Sequence, residues 1–346
     1  MAAEAWSGEL MISPAYENVE SQYPVPAGKL PSLRRSWRGV GLAVMTALLL
    51  TSASCQAEQF VVGEVSLPPL RIAGKPAKAH TQGLEVAGGR FYVTARREDV
   101  RPRRALLLRA AEQATRWEAW DITPTDREGA ATALDHPGGM QSDGTRLWVP
   151  VAESRRNSRA MILVFLVAEL EEGRRPKPVL EFPVSDHIGA LAVSEEAGLV
   201  LGANWDTEKI YVWDLKGHLQ RTLTGTEMGA RGLGVVAGPG GHAGVAVQDW
   251  KIVGDRVYAS GLFRAPLSPP ASPASRLCEF ERFLEPDCRR QIATLPRKDG
   301  VELGREAMAV SGGSIYLLPE DLGATNRLFR LALADLAKRA KRSSDQ

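Results

Sequence analysis

The stretch HTQGLEVAGGRFYV, residues 80–93, sets two apolar runs on either side of Gly88 and Gly89. Alternating apolar positions, a glycine-bearing turn and a second apolar run make a β-hairpin. The same pattern returns as HPGGMQSDGTRLWV from His136, HIGALAVSEEAGLVLG from His187, AVQDWKIVGDRVYAS from Ala246 and GREAMAVSGGSIYLL from Gly304. Each copy has an apolar anchor, namely Leu84, Met140, Leu191, Trp250 and Met308, and the anchors lie 56, 51, 59 and 58 residues apart. A unit of that length holds four short strands, the outer ones supplied by segments such as RALLLRAA, AMILVFLVAEL and KIYVWDLKG. Four-stranded units repeated around an axis are the blades of a β-propeller. Five hairpins predict an all-β, five-bladed propeller; a six-bladed ring with one blurred unit is the alternative. The segment QFVVGEVSLPPL, residues 59–70, reads as a strand without a blade of its own. Pairing it with the last blade closes the ring and removes free edges.

The registers of the five hairpins can then be compared. The chain has five histidines, and three of them, His80, His136 and His187, stand four residues before their anchors. Two residues before the anchors come Gln82, Gly138, Gly189, Gln248 and Glu306. Side chains alternate along a strand, so both positions share a face and ring one mouth of the central channel. The candidate ligand-binding set is therefore His80, Gln82, His136, His187, Gln248 and Glu306. Asp135, Asp186 and Asp249 stand close behind, and Arg96, Glu153 and Asn204 end strands that return to the same mouth. Convergent polar groups in a concavity are the usual form of a ligand site. Imidazoles with a carboxylate also suit a divalent metal, for which His80, His136, His187 and Glu306 are the candidate ligands. The third reading is structural, with Asp-His-x-Gly as a blade corner that uses glycine for its backbone freedom. The functional expectation is an exported propeller that binds a small polar molecule or a peptide end at this mouth. A metal-assisted hydrolase or lyase and an interaction scaffold with an inert channel are the alternatives. The chain lacks His-Glu-x-x-His, a phosphate-binding loop and Gly-x-Ser-x-Gly, so no reaction is named by motif.

The run His80-Thr81-Gln82-Gly83-Leu84 resembles the Thr-Gln-Gly-Leu motif of the plant-type glutaminyl cyclotransferases. That resemblance implies a secreted five-bladed propeller that cyclises N-terminal glutamine, with a Glu on the next strand doing the acid/base work. Here that strand is Arg90-Phe91-Tyr92-Val93-Thr94 and carries no carboxylate. The whole chain also resembles the broad class of bacterial secreted or lipoprotein propellers.

Composition agrees with many short strands: 33 glycines and 22 prolines in 346 residues. A formal net charge of +2 provides no field for nucleic acid. Arg34, Arg35 and Arg38 precede the uncharged run GVGLAVMTALLLT and then small residues, which is the order of a secretory signal. The run is short for a membrane span. The expected organisation is a disordered leader at 1–33, or a true start downstream of Met1, then a signal region at 34–57, the propeller at 58–333 and a short helix or basic tail at 334–346. Export to the periplasm, cell envelope or medium follows. Cys55 is the candidate lipidation site and membrane anchor, with cleavage after Ala57 as the alternative. Cys278 and Cys288 lie ten residues apart and are expected to form a disulfide in an oxidising compartment.

Overall fold

The computed structural model of the protein describes residues 61–234, 243–264 and 274–335. The leader, the signal region, Cys55, the Pro/Ser loop after Arg264 and the basic tail after Asp335 lie outside the described residues. The rest is a five-bladed β-propeller, and every blade is an antiparallel sheet built from the inside outwards. Blade 1 contains Ala79–Ala87, Arg90–Arg97, Arg104–Ala111 and Glu118–Asp121. Blade 2 begins with an interrupted inner strand, His136–Pro137 and Gln141–Ser142. Its further strands are Arg146–Ala152, Ala160–Leu166 and Leu180–Val184. Blade 3 contains Ile188–Ser194, Leu199–Asn204, Lys209–Asp214 and Leu219–Thr224. Blade 4 contains Gly244–Val253, Arg256–Arg264, Ser275–Glu281 and Arg289–Thr294. Blade 5 contains Ala307–Ser311, Ser314–Leu318 and Asn326–Ala332. Its outermost strand is Gly63–Leu67, paired with Asn326–Ala332 so that Gly63 faces Arg330. The ring is thus closed by the N-terminal strand, as its unpaired sequence position predicts.

All five anchors are completely buried. The apolar side chains divide into five layers, each shared by two neighbouring blades. Strand alternation explains the division: Leu106 and Leu108 face the layer with blade 5, while Ala105 and Leu107 face the layer with blade 2. Blade strands are therefore apolar on both faces, which is why segments such as RALLLRAA read as unbroken hydrophobic runs. Gly88-Gly89 and Gly312-Gly313 are two-residue hairpin loops with positive φ throughout, a backbone that suits the twist of the flanking strands.

The inner strands carry a β-bulge where the sequence was expected to alternate. The register shifts at Gln82 in blade 1, at Gly189 in blade 3 and at Gln248 in blade 4. In blade 2 the strand opens at the equivalent point. There Gly139 leaves its own sheet, accepts from Leu191 N (2.9 Å) and donates to Gly189 O (2.9 Å). A Cβ on Gly138 would collide with the Gly189 carbonyl oxygen, whereas a Cβ on Gly189 would meet nothing nearer than 3.7 Å. The two glycines of Asp-His-x-Gly thus do different work: Gly138 permits close approach of blades 2 and 3, and Gly189 leaves space at the mouth.

Deeper along the inner strands the channel is filled. Asp249, completely buried, accepts from Leu84 N of blade 1 (3.1 Å), Met308 N of blade 5 (3.0 Å) and Trp250 N of its own strand (2.8 Å). Buried Lys251 donates to it at 2.5 Å. The Gln141 side chain accepts from Val193 N and Ile252 N and donates to Ile252 O, joining blades 2, 3 and 4. Glu85 accepts from Ser142 N (3.0 Å) and so joins blades 1 and 2. Burial raises Asp249 to about 6 and Glu85 to about 7, with Lys251 opposing both shifts.

The expected disulfide is absent: Cys278 and Cys288 are both free. The hairpin register is the reason. Cys278 faces Ile292, and Cys288 lies in the turn beyond the last pair, Glu281 with Arg289. Cys278 points into the layer between blades 3 and 4, where burial pushes its thiol up to about 12.

Two outcomes are expected in thermal or urea denaturation. Gly138→Ala destabilises by about 1–3 kcal/mol through overpacking against backbone, while Gly189→Ala leaves stability nearly unchanged. Equal effects would refute the division of labour between the two glycines. Lys251→Met costs about 3–5 kcal/mol at neutral pH, because it leaves a buried carboxylate unpaired. Asp249 and Glu85 titrate higher in the fold than in the open chain. The stability they lend is complete at low pH and is lost as pH rises through about 6 to 7. The penalty of Lys251→Met therefore grows across that window and shrinks in acid.

Candidate functional site

The bulges determine what reaches the mouth. A bulge leaves its extra residue out of the ladder and re-aims its side chain. Gln82 and Gln248 occupy two bulges and line a cavity of about 250 Å³ at the start of the inner strands, together with His80, His136, His187 and Glu306. All six candidates of the ring are thus brought to one concavity. The expected alternation is not what groups them, since the bulge breaks the alternation between the two positions. Gln82 is 8% exposed, and neither its carboxamide nor that of Gln248 has a hydrogen-bond partner among the described residues.

The three imidazoles form a row, with ring centroids 6.5 Å apart from His80 to His136 and 5.3 Å from His136 to His187. Each is oriented through Nδ1, and its partner decides its tautomer. His80 Nδ1 meets the Asp321 carboxylate of blade 5 at 2.7 Å and must carry a hydrogen. That bond raises the His80 pKa and lowers that of Asp321. His136 Nδ1 meets Arg96 Nη1 at 2.9 Å. A guanidinium only donates, so Nδ1 is the acceptor and Nε2 carries the hydrogen. Burial, reinforced by His187 and Arg96, holds His136 well below the usual histidine range. His187 Nδ1 donates to the Glu153 carbonyl at 2.9 Å, which leaves Nε2 as the acceptor in the neutral ring, and burial lowers its pKa. Glu306 is buried and is raised to about 7 by that burial, with His80 and Arg305 opposing.

The second-rank residues support the mouth and, with one exception, do not line it. Arg96 orients His136 and is itself held by Glu98 and Ser154. Asp135 accepts from Ser154. Glu153 holds His187 through its carbonyl, while its carboxylate is taken by Arg155 and Arg159. Asp186 accepts from His187 N, Asn204 Nδ2 and Tyr211 Oη. Asn204 lines the cavity, yet its amide is occupied by Asp186 and Lys209 N. Asp249 lies deeper, in the filled channel. The metal reading is not carried forward: among the described residues no three His, Cys, Asp or Glu side chains are grouped to hold one ion. The rings are separated and oriented by other partners, and Arg96 places a cation beside the middle one.

Several contributors went unread in the sequence, among them Trp205, Leu262 and Arg264. Trp205 enters the cavity on a turn in which Asp206 and Thr207 both have positive φ, 56° and 58°. For a β-branched Thr this is a strained backbone, and Thr207 Oγ1 fixes it by accepting from Val247 N at 2.8 Å. Leu262 and Arg264 complete the wall from blade 4. They end the second strand of that blade, at the station that Arg96 and Asn204 hold in theirs, so extending the register to blade 4 would have found them.

No curated protein matches the sequence. Among solved structures the chain is similar to a structure from the GH130 family of mannoside phosphorylases, which contains glycoside hydrolases that target β-1,2 mannosidic linkages in Candida mannan. Identity there is 8%, with 74% of this chain and 84% of that chain covered and a TM-score of 0.46. It is similar also to a bifunctional GH43-CE protein of Bacteroides eggerthii, with 8% identity, 75% and 34% covered and a TM-score of 0.46. A chain of the nidogen/laminin complex has 12% identity, 69% and 72% covered and a TM-score of 0.38. Likenesses of this degree identify no function. Over residues 78–270, more than half its length, the sequence matches the family of unknown function DUF6454, and the chain belongs to that family.

Proposed function

We propose that this protein is an exported β-propeller that binds a small polar ligand at the histidine-lined mouth of its channel. One observation carries the binding site: the carboxamides of Gln82 and Gln248 are delivered into the cavity by bulges and have no hydrogen-bond partner among the described residues. Carboxamides that face a concavity and are engaged by no described protein group are offered to whatever occupies it. Nearby polar groups show how an inert channel is built, since Gln141 and Asp249 engage backbone groups on every side. The mouth is instead oriented from behind and open in front. Export rests on the arginines and the apolar run between Arg34 and Thr51.

The test uses the space left at Gly189. Gly189→Leu introduces a side chain into the cavity lining at a position where a Cβ meets nothing nearer than 3.7 Å. Affinity selection of a small-molecule extract, read by mass spectrometry, is expected to retain a compound on the natural protein and not on Gly189→Leu, with the melting temperature preserved. Equal retention by a folded Gly189→Leu variant would remove the mouth as the site.

A further inference from the structure

The charge state of the mouth narrows the class of ligand, and this step rests on the mouth being a binding site. Every charged side chain that lines the cavity already holds an opposite charge. His80 pairs with Asp321 (2.7 Å), Glu306 with Arg305 (3.1 Å), and Arg264 with Asp206 (2.9 Å), which Arg156 also holds. An ionic ligand would have to compete with one of these pairings or sit without a compensating charge of its own. The groups that meet the cavity without a charged partner are neutral: the two carboxamides, Nε2–H of His136 and the Nε2 acceptor of His187. A carboxamide offers a donor and an acceptor side by side, and a hydroxyl group answers both.

The apolar part of the wall is localised. All of the apolar side chains that line the cavity, Trp205, Val247 and Leu262, come from blades 3 and 4, while polar side chains line it from all five blades, Gln82 from blade 1 and Gln248 from blade 4 among them. Trp205 is set in place by His187 packed edge-on at 4.7 Å. A ligand matching this wall has one hydroxyl-rich edge and one face of C–H groups able to lie on an indole. A cavity of about 250 Å³ falls below the roughly 300–1,000 Å³ of sites for drug-sized molecules, so it admits about one ring.

We infer that the mouth recognises an uncharged, polyhydroxylated ring of monosaccharide size: the carboxamides of Gln82 and Gln248 bond neighbouring hydroxyl groups and Trp205 covers the C–H face.

Saturation-transfer NMR and calorimetry with the natural protein test this, with glucose, galactose, mannose and N-acetylglucosamine as neutral probes. Glucuronate and glucosamine serve as anionic and cationic counterparts. At least one neutral sugar is expected to bind, its charged counterparts binding at least tenfold more weakly. Gln82→Ala is expected to weaken the neutral sugar about tenfold, because it removes a buried partner, and Trp205→Leu weakens it without exchanging preference between neutral and charged probes. The melting temperature of each variant confirms folding. A charged probe that binds better than its neutral counterpart, and is lost in Gly189→Leu, overturns the ligand class while leaving the mouth as a site. No binding by any neutral sugar at millimolar concentration overturns the class as well, and retention of an extract compound by the natural protein but not by folded Gly189→Leu then shows that the site itself stands.

Discussion

A single carboxylate on the propeller axis, that of Asp249, holds blades 1, 4 and 5 together. Its oxygens accept from the backbone of all three, and a glycine of blade 2 passes so close that a Cβ there would meet it. Five inner strands converging on an axis bring amide groups into a space too narrow for bulk water, and those amides need acceptors. Asp249 supplies them, and Lys251 keeps it charged. Gln141 and Glu85 extend the same solution around the remaining blades. The ring has no central apolar core; its hydrophobic layers lie between blades, and its centre is a hydrogen-bonded polar knot.

That knot is what permits a site above it. With the inner strands tied below, their first residues need not seal the channel and can be spent on bulges, open glycines and partnerless carboxamides. The orienting groups are placed one step behind: Asp321, Arg96 and the Glu153 carbonyl each fix one imidazole and so decide which ring nitrogen offers a hydrogen to the cavity. Charges at the rim are matched pair by pair, and the groups left without a charged partner are polar and neutral.

The blades were legible because each repeats a fully buried anchor and a turn, and strand alternation carries that pattern without reference to distant residues. Six residues of the cavity lining, His80, Gln82, His136, His187, Gln248 and Glu306, were legible through their common register before the anchors. What escaped has physical causes. One residue after the anchors the chain reads Glu85, Gln141, Ala192, Lys251 and Ala309, and charged residues in alternation normally face water; here the channel interior takes that place. Asp249 resembled Asp135 and Asp186 in type, yet it stands directly before its anchor rather than at the blade corner, and the bulge at Gln248 turns it into the axis. Trp205 depended on a strained turn that no local propensity favours. The disulfide expectation assumed that short separation brings cysteines together, whereas the strand register assigns Cys278 another neighbour.

Ring closure by the first strand has a topological consequence. Gly63 lies opposite Arg330 in blade 5, so the two ends of the folded ring meet within one sheet. Joining them by a short linker would make the chain a continuous loop of blades with no privileged starting point. The order in which the blades are synthesised is then a historical feature of the gene, and the contacts that define the fold would be the same for a chain opened between any other pair of blades.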